Sequence, residues 1–236
     1  MPPEASEPLG AGADHCAAPV PHLHLRRLAW TAAACAAGYA VVTVLVVTGA
    51  TTALDMWWNE LLAAHRGRVG IWIAQALTVT GDVPLNTAFR VSVAVVLLWQ
   101  RRRLWFWAWA VAAALSPLLV EVSKFAVGRA RPEDFVWSAH GFAYPSGHVA
   151  AAATNAVLVV LVLLPLRHRR TGIICAALWV AAMAMARSLL GAHWLADCVG
   201  GMLLGLAVPC ATVAAVFAPR ARRRREEVGT WDAPSP

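Results

Sequence analysis

Three short stretches of the sequence combine residue types suited to handling phosphate. In Lys124-Phe-Ala-Val-Gly-Arg-Ala-Arg131-Pro132, two cations stand seven residues apart at Lys124 and Arg131 with no acidic residue between them. Lys124 is the single lysine in a chain that carries nineteen arginines. Seven residues is close to two helical turns, so a helix continuing through Arg131 would set both cations on one face as a phosphate clamp. In Tyr144-Pro145-Ser146-Gly147-His148, Ser146 suits a helix N-cap and Gly147 admits a ligand close to the backbone. Free amides at such a helix start, with the positive dipole end behind them, attract phosphate oxygens, and His148 follows at once as a proton donor or acceptor. The third stretch, Arg187-Ser-Leu-Leu-Gly-Ala-His193-Trp-Leu-Ala-Asp197, supplies a further cation and a histidine four residues before a carboxylate. On a helix, His193 and Asp197 would share a face, and a carboxylate bonded to one imidazole nitrogen leaves the other free to attack. Singly, each stretch has an ordinary explanation, because arginines snorkel at helix ends and Pro-Ser-Gly is common turn chemistry. Their joint occurrence at one end of a helix bundle points to chemistry.

The elements that must position these residues read as membrane helices. The chain has 236 residues, 59% of them hydrophobic and 14% charged. Its mean hydropathy is +0.59, which excludes an ordinary soluble domain. Apolar runs at roughly Leu28–Ala50, Val83–Gln100, Leu104–Val127, Val149–Leu166, Ile173–Leu190 and Leu195–Phe217 predict six spans within a membrane domain of residues 28–218. Residues 1–27 read as a disordered cytoplasmic tail and residues 219–236 as a basic cytoplasmic tail against anionic head groups. Arginines at 26/27, 101–103, 167/169/170 and 220/222–225 mark every second helix end. That asymmetry places both termini in the cytoplasm and the three stretches on the extracytoplasmic face of the cell membrane. It also explains the formal charge of +7 without a nucleic-acid partner.

Several smaller features complete the reading. Leu54, Trp57, Trp58, Leu61 and Leu62 predict a short helix in the outer interface, opposite polar Asp55, Asn59 and Glu60. Ile71–Thr80 is too short to span alone and is expected to be re-entrant or packed on the bundle. Arg90 falls inside a span, where Asp82 or Glu121 is the expected partner. The five cysteines, Cys16, Cys35, Cys175, Cys198 and Cys210, lack metal or disulfide spacing and read as packing residues, and His140 reads as a solvated loop residue.

Together the three stretches closely resemble the signature motifs of the type 2 phosphatidic acid phosphatase family, whose soluble relatives include vanadium-dependent haloperoxidases. The matches are K-x6-RP at Lys124–Pro132, PSGH at Pro145–His148 and R-x5-H-x3-D at Arg187–Asp197, and the six-helix layout extends the resemblance over most of the chain. The resemblance implies an all-α polytopic bundle of six transmembrane helices. It makes His193 the nucleophile of a phosphohistidine intermediate, Asp197 its orienting partner and His148 the acid for the leaving oxygen. Lys124, Arg131, Ser146, Gly147 and Arg187 would hold the phosphoryl oxygens. No metal or other cofactor is implied, and the motifs contain no compact carboxylate cluster for magnesium. The implied substrates are phosphatidic acid, phosphatidylglycerol phosphate and undecaprenyl pyrophosphate, and nothing in the sequence separates them. Phosphotransfer to a second acceptor and lipid binding without turnover remain open beside hydrolysis, and the sequence carries no signal for oligomeric state. One departure is visible: the family usually has serine before the third-motif arginine, and here that position is Ala186.

Overall fold

The structure is a computed structural model that describes residues 22–137 and 140–231. All regular structure among them is helical: α1 (His22–Val47), α2 (Thr52–Ala64), α3 (Arg68–Gly81), α4 (Val83–Trp99), α5 (Arg103–Val127), α6 (Gly147–Val162), α7 (Arg169–Leu189) and α8 (Leu195–Trp231). A single 3-10 turn, Leu166–His168, leads into α7. Residues 1–21, with most of the expected N-terminal tail and Cys16, lie outside the described residues. Helix α1 begins six residues before the apolar run at Leu28, and α8 continues as helix beyond Phe217 through the basic segment.

Four helices, α1, α5, α7 and α8, are long and apolar enough to cross a membrane. Helices α3 and α4 qualify together, bent by 48° about Asp82, while α6 is apolar but only 16 residues long. The Ile71–Thr80 stretch is thus the body of α3, packed against α7 and joined to α4. Pro84 falls in the first turn of α4, where its missing N–H would have had no helical partner.

Helix α8 forms the axis of the bundle and packs against α1, α5 and α6. Its small residues set how close the neighbours come. A Cβ on Gly200 would lie 2.6 Å from the Tyr144 ring, and one on Gly201 would strike the Ser146 carbonyl. Such close approach is how membrane helices gain packing, since lipid outside is as apolar as the interior. Trp109, Leu97, Leu158 and Val213 fill the centre, whereas Trp72, Trp99, Phe125 and Leu178 face outward. Helix α2 also turns its apolar side outward: Leu54, Trp57 and Leu61 are exposed, and Asp55 is buried.

Arg90 departs from expectation. Neither Asp82 nor Glu121 pairs with it; its Nε donates to Asn155 Oδ1 at 2.9 Å and Nη1 to the Ala113 carbonyl at 3.0 Å. Asp82 is turned toward α6 and Glu121 bonds Lys124, so neither carboxylate is free for it.

Candidate active site

The three motifs meet where the N-terminus of α6, the N-terminus of α8 and the loop after α5 come together. Helix α5 ends at Gly128, whose φ of 64° is available to glycine at low cost and lets its N–H close on the Lys124 carbonyl. Lys124 and Arg131 therefore do not share the face that a helix continuing through Arg131 would have given them. Lys124 projects from the last turn, paired with Glu121 at 2.8 Å. Its Nζ lies 3.9 Å from where a Cβ on Gly147 would be. Arg131 reaches inward from the loop instead. Its guanidinium is locked by the carbonyls of Gly141, His140, Phe142 and Ala192, which leaves Nη1 3.3 Å from His193 Nε2.

Ser146 is the N-cap of α6, as expected, with its own N–H bonded to the Asp197 carbonyl at 2.9 Å. Its hydroxyl is fully buried without a hydrogen-bond partner, and so is the Nε of buried Arg187. These two orphaned polar groups and the helix-start amides of Gly147 and His148 are donors that a bound anion would satisfy, since burying such groups unpaired is costly. Arg187 also donates to Thr78 Oγ1 at 3.4 Å, which ties α7 to α3. Ala186, the departure from the usual serine, is buried against Ala74 and Leu190 in an apolar cluster.

The histidines are held differently from expectation. His193 precedes α8 rather than lying on it, so it does not share a helical face with Asp197. Its Nδ1 donates to the Ala143 carbonyl at 2.8 Å, whereas Asp197 Oδ2 is 3.7 Å away. The backbone carbonyl therefore sets the tautomer and leaves Nε2 with a lone pair. Burial, then the nearby charges of Arg187 and Arg131, hold the imidazole well below its ordinary pKa and keep it neutral. Asp197 does other work: Oδ2 accepts the Trp194 N–H at 2.8 Å, closing the first turn of α8, and Oδ1 binds Arg129 at 2.7 Å. His148 Nε2 lies 3.0 Å from Asp82 Oδ1.

Four supporting residues escaped the sequence reading. Arg129 joins Asp197 to Asp55 at 2.6 Å, and Asp55 in turn accepts the Ala196 N–H. Thr78 and Asp82 hold Arg187 and His148. Asp55 stands with Asn59 and Glu60 on the polar side of α2, so its type and spacing gave no signal that it alone turns into the bundle. Among the described residues, no group of three or more His, Cys, Asp or Glu side chains gathers as a metal site.

A family model described as the PAP2 superfamily matches residues 105–221, the stretch that carries all three motifs. The chain belongs to the PAP2 superfamily. An undecaprenyl-diphosphatase of Sulfolobus acidocaldarius is 31% identical over 119 residues, 48% of this chain and 55% of that protein. A lipid A 1-phosphatase of Rhizobium johnstonii is 28% identical over 171 residues, 68% of this chain and 61% of that one. The chain thus aligns with less than two thirds of either relative. Among solved structures, a PAP2-type phosphatidylglycerolphosphate phosphatase from Bacillus subtilis superposes with a TM-score of 0.64 at 21% identity, covering 78% of this chain and 94% of that one. Aquifex aeolicus LpxE gives a TM-score of 0.55 at 18% identity, covering 67% and 94%. This PAP2 chain shares their all-helical fold.

Proposed function

We propose that this PAP2 protein is an integral-membrane phosphatase that hydrolyses a lipid phosphomonoester or isoprenoid pyrophosphate through a phosphohistidine, without a metal. The observation that carries the reading is the Nδ1-anchored His193, whose unprotonated Nε2 accepts from Arg131 Nη1 at 3.3 Å, together with the orphaned Ser146 hydroxyl and Arg187 Nε. Nε2 attacks phosphorus as the bond to the lipid oxygen breaks, and His148 gives that oxygen its proton. Water then attacks phosphorus and gives one proton to His148 as the new phosphorus–oxygen bond forms; the phosphorus–nitrogen bond breaks, its electron pair returns to Nε2, and phosphate leaves. Arg131, Arg187, Lys124, Ser146 and the Gly147 amide stabilise the charge on the phosphoryl oxygens in both steps. Asp82 orients His148, and Asp197 positions His193 through the α8 turn and Arg129 rather than by a direct bond.

The helices α1, α3–α4, α5, α6, α7 and α8 would give six crossings. The arginine-rich ends then lie in the cytoplasm and the site on the outer face, where lipid head groups reach it. The test is phosphate release by purified protein in EDTA from phosphatidic acid, phosphatidylglycerol phosphate and undecaprenyl pyrophosphate. Release is expected in EDTA, and His193→Ala should lower it on the order of a thousandfold or more, the scale of losing a nucleophile. Unchanged release by His193→Ala would exclude the mechanism.

A further inference from the structure

Beneath His148, facing sides of α4 and α6 carry a row of polar side chains, of which Asn86, Arg90 and Asn155 are unused by the phosphate chemistry. Asp82, Asn86 and Arg90 recur at every fourth position from the N-cap of α4, and His148 and Asn155 stand two turns apart on α6. Asn155 Nδ2 donates to Asn86 Oδ1 at 2.7 Å, and Arg90 Nε donates to Asn155 Oδ1 at 2.9 Å. This chain of bonds has a fixed polarity. Arginine only donates, so Asn155 must show it the oxygen and turn its amide nitrogen to Asn86, which must then accept. Asn86 Nδ2 is the donor left over: it makes no side-chain hydrogen bond among the described residues, and it is open to the adjoining cavity rather than sealed in the core.

Asn86 and Asn155 line a cavity of about 620 Å³ between α4, α6 and α7. Its other walls are almost wholly apolar, including Leu85, Phe89, Val159 and Trp179. The cavity starts at Gly81, against the His148 ring, and runs to Cys175. An unpaired donor in such a groove is unfavourable within a bilayer unless the occupant brings an acceptor. Asn86 lies one helical turn, ~5.4 Å, below Asp82 and hence below the leaving-group acid. That is the reach of the few bonds joining a lipid phosphate to the first acyl carbonyl of its backbone.

We propose that the substrate's tail occupies this cavity and that Asn86, held by Asn155 and Arg90, donates from Nδ2 to an acyl carbonyl beside the phosphate. The inference rests on the phosphatase reading and narrows it: the chain prefers lipids with ester or amide carbonyls near the phosphate over polyprenyl phosphates, which have none. Asn86 is a specificity residue and takes no part in the bond-breaking.

The experiment compares the full chain in EDTA on four mixed-micelle substrates: diacyl phosphatidic acid, its diether analogue with matched chains, lipid A and undecaprenyl pyrophosphate. One neutral hydrogen bond predicts kcat/KM about tenfold higher for the diacyl than the diether lipid, expressed mainly in KM. Asn86→Leu should remove that preference by lowering the diacyl value, with the diether value unchanged as a check on folding. Lipid A turnover that also depends on Asn86 would extend the class to amides, and ester-only dependence would confine it to glycerolipids. Equal wild-type values for diacyl and diether lipids overturn the proposal, whatever the variant does. If release still requires His193, the phosphatase reading survives that result; no release from any lipid overturns both.

Discussion

Arg129 ties the site together, although it lies outside the proposed phosphate contacts. Its two terminal nitrogens bind Asp55 and Asp197, carboxylates with 1% and 0% exposure. One guanidinium thereby joins α2, the loop after α5 and the start of α8. A buried charge that loses its partner keeps its desolvation cost without the compensating attraction, so Arg129→Leu should destabilise the protein by about 3–5 kcal/mol. The measurement is thermal unfolding in detergent with Asp55→Asn added to the same background. Partial recovery in the double variant is expected, because one of the two stranded carboxylates has been neutralised; no recovery would mean that Arg129 acts by packing alone. The same network explains why Asp197 serves here as a turn-closing and charge-balancing residue, with Ala143 holding His193.

At the scale of elements, the break between α3 and α4 does what a straight span cannot. Asp82 has φ −64° and ψ 148°, which interrupts the helix and turns its carboxylate to His148. Directly before it, Gly81 is packed so closely that an added Cβ would lie 2.6 Å from His148 Cδ2. The imidazole must then move, and the neighbouring element offers the less rigid side of the clash. Gly81→Ala is expected to lower kcat about 10–100-fold by displacing His148, the proposed leaving-group acid. KM should rise less than kcat falls, since Gly81 borders the proposed tail cavity only at its His148 end and Ser146, Arg131 and Arg187 are untouched. A large KM increase with kcat preserved would instead place Gly81 in lipid binding.

For the whole molecule, charge and apolarity together imply an orientation. Arginine clusters alternate with motif-bearing ends along the helix order, and a bilayer under the positive-inside bias accepts that order in one direction. In a background without the native cysteines, Glu133→Cys in the loop beside the site should react with an impermeant maleimide on intact cells. Arg222→Cys near the end of α8 should react only after permeabilisation. The reverse pattern would turn the bundle over and put the site on the cytoplasmic face. The arginine-poor end also gathers all three motifs although they are separated by whole helices, because α6 and α8 begin there and α5 ends there.

What the sequence determined by itself was local or additive. Apolar length identified the long helices, the motifs picked out residues that the fold brings to one end of the bundle, and Ser146 takes the N-cap position of α6, although its hydroxyl makes no capping bond. Those signals survive without knowledge of neighbours. Pairing did not survive in the same way. The spacing put Lys124 and Arg131 on one face and His193 and Asp197 on another, but Gly128 ends α5 early and α8 starts after His193. Asp82 or Glu121 is the partner the sequence suggests for Arg90, yet they belong to His148 and Lys124, and Arg90 is satisfied by Asn155 and a carbonyl. Only the tertiary structure decided these partners, because a buried ionisable group binds whatever polar atom the packing brings within reach. In a helix bundle that atom usually lies on a different helix, at a sequence separation that no periodicity encodes.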